Sequence, residues 1–186
     1  MVKSAVFIDR DGVINEEVDY LCKADETRII PGCAEAIRQI HRAGALAVVV
    51  TNQSGIARKM YAVEDMMSVH ARIQKLLLEQ GAECAIDAFY FCPHHKEFTG
   101  DCCCRKPEPG MLLQAAKALN IDLAASIMIG DRISDLRAGR AAGCARSVLV
   151  KTGYGSNETG KAQQEGFYVA ENLADAVKEN LKNLLQ

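Results

Sequence analysis

An α/β fold, a doubly wound parallel sheet with helices on both faces, is what this sequence predicts, and three observations carry it. Short apolar runs of strand length alternate with amphipathic stretches of helix length through most of the 186 residues. The runs are apolar throughout, as strands covered on both faces are. The unusual polar residues fall directly after the strands, at the edge where open parallel sheets bind ligands. The expected architecture is therefore Rossmann-like.

Taken in order, Ala5 to Ile8 reads as a buried strand that stops at an acidic turn. Ala34 to Ala43, after a Pro-Gly turn, has helical spacing with Ile37, Ile40 and His41 on one side. Leu46 to Val50 is too apolar and β-branched for a solvated face and is the second strand. Val63 to Gln80 is the clearest helix, with Met66, Val69, Ile73, Leu76 and Leu77 at three- and four-residue steps; its Met stripe is core packing. A third strand lies within Ala85 to Cys92, and a helix runs from Pro109 to Leu119 with Pro in its first turn. Ser126 to Ile129 is a strand, Ile133 to Ala142 a helix closed by Gly143, and Val148 to Val150 a strand. A short strand near Tyr168 and a helix from Leu173 to Leu184 complete the pattern. The segment from Gly153 to Gly160 reads as the flexible one. Residues 1–186 are expected to form one domain, because a chain of this length buries one good core.

Net charge is −2, with the cations scattered, so the basic stripe of a nucleic-acid surface is absent. No secretory signal is visible, and no stretch approaches the roughly 20 apolar residues of a membrane span. A cytoplasmic protein, working as a monomer without nucleic-acid or membrane partners, is expected. Disulfides rarely persist there. Of the eight cysteines, Cys22, Cys33, Cys84 and Cys144 stand singly and read as small apolar residues.

Asp9-Arg10-Asp11-Gly12-Val13 puts two carboxylates two residues apart at a strand end. With extended backbone both project to one side, and a hard divalent cation such as Mg²⁺ would relieve their repulsion. Thr51-Asn52-Gln53-Ser54-Gly55 ends the second strand in hydroxyls and amides that suit phosphate oxygens. Arg105-Lys106 supplies fixed positive charge, and Asp131 with Asp135 forms another acidic turn after a strand. Asp135 reads as a metal ligand, as a support for one, or as solvated. Glu17, Asp19 and Tyr20, in the loop from Asn15 to Leu21, read as a second substrate wall, their carboxylates suited to sugar hydroxyls.

These motifs, in this order and at these strand ends, resemble the phosphatases of the haloacid dehalogenase superfamily across about residues 5–150. The resemblance implies that Asp9 attacks phosphorus and carries an aspartyl-phosphate. It implies that Asp11 protonates the leaving oxygen and then activates water. Mg²⁺ would be held by the Asp9 carboxylate, the Asp11 carbonyl and Asp131. Thr51 and Lys106 would grip the transferring phosphoryl, with Asn52, Gln53, Ser54 and Arg105 around the substrate.

Cys92-Pro93-His94 followed by Cys102-Cys103-Cys104 supplies metal ligands at a spacing that suits a closed structural Zn²⁺ site. Cys92, His94, Cys102 and Cys104 are the expected set, with His95 and Cys103 in reserve. Zinc would then fix the 92–104 loop that delivers Lys106. The gaps between motifs, about 40 and 55 residues, are largely filled by core elements, so the protein is expected to be capless. The full combination, including Thr152-Gly153-Tyr154-Gly155, resembles the branch of the superfamily that hydrolyses heptose bisphosphates; histidinol-phosphate phosphatases are the alternative.

Overall fold

The computed structural model describes residues 2–184. Six strands form one all-parallel sheet: β1 (Ala5–Ile8), β2 (Leu46–Asn52), β3 (Ala88–Cys92), β4 (Ile127–Gly130), β5 (Arg146–Val150) and β6 (Tyr168–Ala170). Their spatial order is β3-β2-β1-β4-β5-β6. The direction of winding reverses between β1 and β4, and the crevice beyond that switch point is where ligands enter doubly wound sheets.

Eight α-helices accompany the strands among the described residues: α1 (Cys33–Arg42), α2 (Ser54–Ala57), α3 (Val63–Leu78), α4 (Lys96–Thr99), α5 (Gly110–Leu119), α6 (Ile133–Ala142), α7 (Gly155–Gln164) and α8 (Leu173–Leu184). Alternate strand residues serve opposite layers. Val6, Ile8, Val49 and Ile129 pack with Ile37 and Ile40 of α1, Ile73 of α3 and Val177 of α8. Ala5, Phe7, Val48 and Met128 pack with Leu112 and Ala115 of α5 and Ala138 of α6. Each such Val, Leu, Ile, Phe or Met side chain, wholly removed from water, is worth about 1.5–3 kcal/mol. Both faces are thus covered, as expected. The segments between β1, β2 and Lys106 are loops, α1, α2, α3, β3 and α4, with no cap domain among the described residues. No described helix is long and apolar enough to cross a membrane.

Three boundaries differ from expectation for physical reasons. β2 runs on through Thr51 and Asn52, which pair with Phe91 and Cys92. Backbone pairing there overrides the polar side chains. β5 begins at Arg146, before its apolar residues, because the ladder already pairs Arg146 with Ile127. The stretch from Gly153 to Gly160 is built into the fold: α7 begins at Gly155 and packs Ala162 beside Ile133, Leu136 and Phe167. Gly153 and Gly155 serve close approach: a Cβ on Gly155 would lie 1.7 Å from the Val150 carbonyl oxygen.

Candidate active site

The backbone of Asp9 stays bound to the sheet, its N–H donating to the Ile129 carbonyl at 2.9 Å. The chain then turns sharply: Gly12 takes a left-handed φ of +77°, and its N–H donates to Asn15 O at 2.8 Å. Only glycine fits. A Cβ on Gly12 would lie 2.5 Å from Asp131 Oδ2, and one on Gly153 would lie 2.2 Å from the same oxygen. Two loops thereby close on Asp131, whose Oδ2 accepts the Tyr154 N–H at 2.8 Å. The other oxygen, Oδ1, is buried with no hydrogen-bond partner.

Lys106 is almost wholly buried, and its ammonium donates three ways: to Asp9 Oδ1 and Asp135 Oδ1 at 2.8 Å each and to the Val50 carbonyl at 2.7 Å. Burial alone would lower its pKa, but Asp135 and Asp9 outweigh that and push it up to about 12. One cation nevertheless faces three carboxylates, for oxygens of Asp9, Asp131 and Asp135 lie within 4.8 Å of one another. Burial, and then Asp135 working against Lys106, lift the Asp9 carboxyl to about 6. Burial followed by Asp9 and Asp135 lifts Asp131 to about 8. The surplus negative charge and the orphaned Asp131 oxygen fit a hard divalent cation. Asp135 is therefore not solvated: its Oδ1 holds Lys106 and its Oδ2 accepts the Arg132 N–H at 2.9 Å.

Asp11 departs from the expectation that both carboxylates of the turn meet one cation. Its oxygens are taken by the Arg10 guanidinium at 2.7–3.0 Å, by Asn15 Nδ2 at 3.0 Å and by Gln53 Nε2 at 2.9 Å. Burial works to raise this carboxyl, but Arg10 first, then the Asn15 and Gln53 hydrogen bonds, hold it below the usual carboxylate range. The repulsion that the sequence implied is answered for Asp11 by a buried arginine from the same turn.

At the end of β2, Thr51 Oγ1 accepts Gln53 Nε2 at 2.8 Å, and Tyr61 donates its hydroxyl to Gln53 Oε1 at 2.7 Å. The Asn52 side chain is committed to the backbone of Lys106. Ser54, half-buried, opens α2 at the wall of the cleft. That cleft, about 430 Å³, gathers Asp9, Asp11, Thr51, Asn52, Gln53, Ser54 and Lys106 with Glu17, Asp19, Tyr20 and Arg105. Every residue that the sequence assigned to catalysis or substrate lines it. Glu17 is raised to about 7 by burial and then by Asp11, against the pull of Arg132.

A HAD-hydrolase-like family model matches residues 103–176. The D-glycero-beta-D-manno-heptose-1,7-bisphosphate 7-phosphatase of Pasteurella multocida is 44% identical over 181 residues, covering 95% of this chain and 96% of the relative. The D-glycero-D-manno-heptose-1,7-bisphosphate 7-phosphatase of Thermosynechococcus vestitus is 39% identical, covering 96% of this chain and 95% of its own. The chain belongs to this phosphatase family of the haloacid dehalogenase superfamily. A crystal structure of D,D-heptose 1,7-bisphosphate phosphatase from B. bronchiseptica, complexed with magnesium and phosphate, superposes with a TM-score of 0.87 at 34% identity, covering 97% and 99% of the two chains.

This haloacid dehalogenase-type phosphatase brings three of its four expected soft ligands together. Cys104 Sγ lies 2.9 Å from Cys92 Sγ, and Cys102 Sγ lies 3.7 and 3.6 Å from those two. Burial and the Cys104 hydrogen bond push the Cys92 thiol up. Cys103 points outward and is exposed. His94 is not in the thiol group; its carbonyl accepts the Arg105 guanidinium at 3.1 Å. His95, held in reserve as a ligand, instead faces Arg58 in the catalytic cleft.

Sequence reasoning missed Arg10, Arg58, Tyr61, Arg132 and Tyr154 in the cleft of this phosphatase. Arg10 carried a signal, since a cation flanked by two aspartates in a buried turn has obvious partners. Arg132 lies over the Tyr154 ring at 3.7 Å, and Tyr154 donates to Asp19 at 3.2 Å; that pairing joins segments far apart in the chain and left no local trace.

Proposed function

We propose that this protein hydrolyses the 7-phosphate of D-glycero-D-manno-heptose 1,7-bisphosphate, supplying nucleotide-activated heptose for lipopolysaccharide core or related glycans. The observation that carries the reading is the Asp9–Lys106–Asp135 array beside Asp131, in a cleft lined by carboxylate, amide and hydroxyl side chains. The names of the relatives favour the heptose branch over histidinol-phosphate phosphatases.

Asp9 Oδ1 is occupied by Lys106 and by the Arg10 N–H, which leaves Oδ2 to attack phosphorus. The phosphorus–oxygen bond to C7 breaks as the aspartyl-phosphate forms, and Asp11 delivers a proton to the departing alkoxide. Asp11 then removes a proton from water, which attacks the acyl phosphate and releases inorganic phosphate with Asp9 restored. Arg10 favours the ionised form of Asp11, the one that this second step uses. Asp11 takes up its proton for the first step as the incoming phosphate adds negative charge beside it. Thr51 and Lys106 hold the phosphoryl oxygens, and Glu17, Asp19, Tyr20, Asn52, Gln53, Ser54 and Arg105 form the sugar's surroundings.

The Asp9 and Asp131 carboxylates with the Asp11 carbonyl would hold Mg²⁺, which neutralises phosphoryl charge in the transition state. Cys92, Cys102 and Cys104, with His94 close in sequence as the fourth donor, would hold a structural Zn²⁺ in the 92–104 loop. Reduced thiols suit a cytoplasmic location, and one domain spanning residues 1–186 works as a monomer without nucleic-acid or membrane partners.

A substrate panel tests the reading: both anomers of the heptose bisphosphate against histidinol phosphate, with the Asp9→Asn variant as control. Turnover of a bisphosphate anomer far above histidinol phosphate, abolished in Asp9→Asn, is expected. Preference for histidinol phosphate, or normal phosphate release by Asp9→Asn, would overturn it.

A further inference from the structure

We infer that Tyr61 is a positioning residue for proton delivery: acting through the Gln53 carboxamide, it fixes the carboxyl of Asp11 and leaves that group's proton free for the departing oxygen. The inference rests on the reading above, in which Asp11 is the acid. Gln53 is buried, and both hydrogens of its Nε2 are committed, one to Asp11 Oδ2 at 2.9 Å and one to Thr51 Oγ1 at 2.8 Å. One amide thus touches both the proton carrier and a hydroxyl assigned to the phosphoryl group. Because Thr51 accepts from Gln53, its own hydrogen is left to donate. On the remaining side of the amide stands Tyr61, whose hydroxyl donates to Oε1 at 2.7 Å.

The chain holds this phenol firmly. After α2, Lys59 takes a left-handed φ of +58° and the Met60 N–H donates to the Gly55 carbonyl at 2.9 Å, which turns the backbone back on the helix. The Tyr61 ring then lies directly on Gly55, where a Cβ would fall 2.1 Å from its Cε1. Burial pushes the phenol up to about 12, so it keeps its hydrogen through the neutral range. The reversed amide shows why that hydrogen matters. Arg10, the other group on Asp11 Oδ2, offers only donors, whereas Gln53 has an acceptor at its other end. Turned over, Oε1 would repel the ionised carboxylate, and it would accept the proton of the acid form in place of the leaving oxygen. It would also take the acceptor away from Tyr61. With Oε1 bound to the phenol, the side of Gln53 that faces Asp11 accepts no proton.

The test uses two leaving groups. p-Nitrophenolate departs without a proton, whereas the sugar alkoxide needs one, and kcat/KM reports the steps up to formation of the aspartyl-phosphate. In Tyr61→Phe, kcat/KM for the heptose bisphosphate is expected to fall about three- to tenfold, and that for p-nitrophenyl phosphate by less than about twofold. Gln53→Met should lose more, and adding Tyr61→Phe to it should cost nothing further on the bisphosphate, because the phenol acts through the amide. No loss in Tyr61→Phe, equal losses on the two substrates, or a double variant whose loss is the product of the single ones overturns the inference and leaves the bisphosphatase reading standing. A wild-type enzyme inactive on the bisphosphate sinks that reading, and this inference with it.

Discussion

Asn52 pairs with the backbone of Lys106 as a neighbouring strand would: its Nδ2 donates to Lys106 O, and its Oδ1 accepts the Lys106 N–H, each at 3.1 Å. One carboxamide thereby satisfies both main-chain groups of the residue that carries the cation of the site. In Asn52→Ala the two backbone groups lose their partners, at a stability cost of about 1–3 kcal/mol. The larger effect should be kinetic, because misplacing a reacting group by about 1 Å costs on the order of a hundredfold. Steady-state kinetics should show kcat/KM lowered about ten- to hundredfold, while a urea titration reports only the modest stability loss.

Lys106 keeps two buried carboxylates tolerable. Replacing it with Met preserves much of its volume but leaves Asp9 and Asp135 without their shared cation. Breaking a buried ion pair from one side costs about 3–5 kcal/mol. The Lys106→Met variant should unfold at clearly lower urea and show no measurable turnover. Added Mg²⁺ should restore part of its thermal stability, because a cation among these carboxylates answers the same repulsion, but not its activity. Thermal melts with and without Mg²⁺, alongside a phosphate-release assay, check both halves.

The sheet was legible because strands buried on both faces must be apolar throughout, and Ala5–Ile8 or Ile127–Gly130 could be little else. The cleft was legible for the same reason: Asp9, Thr51 and Asp131 are polar residues placed where the apolar runs stop. Partnerships across distant segments left no such mark. That Asn52 serves the Lys106 backbone, that Arg10 rather than a metal answers Asp11, and that Tyr154 reaches Asp19 all depend on how loops close over the switch point. Gly153 and Gly155 misled for a related reason. A glycine needed for close approach reads in sequence like one that confers flexibility.

The thiol triad makes a prediction that separates neighbours in the chain. Cys102 and Cys104 face Cys92, whereas Cys103 is exposed. Elemental analysis should find about one zinc per chain in wild type and in Cys103→Ser, and much less in Cys104→Ser. Because the same loop carries Arg105 and Lys106, zinc removal by a chelator should lower both the melting temperature and kcat/KM, without altering the dependence on added Mg²⁺. Full activity after complete zinc removal would show that the loop holds its shape unaided.

His70 on α3 sets an acid limit to stability. It is 3% exposed, its two ring nitrogens have no hydrogen-bond partner, and its ring stacks on Phe89 at 4.6 Å. Burial first, and the Arg10 charge second, lower its pKa from 6.5 to about 3. The native state therefore binds this proton only near pH 3, whereas the unfolded chain binds it below about pH 6.5. Within that window unfolding takes up a proton, so stability falls with decreasing pH by up to about 1.4 kcal/mol per pH unit from this one group. Replacing His70 with Leu keeps an apolar side chain in the core and removes the proton site. Urea titrations at pH 7 and pH 5 should show wild type losing about 1–2 kcal/mol more than His70→Leu over that interval. Parallel losses in the two proteins would mean that His70 finds a partner when protonated, and that the acid sensitivity belongs to the carboxylates instead.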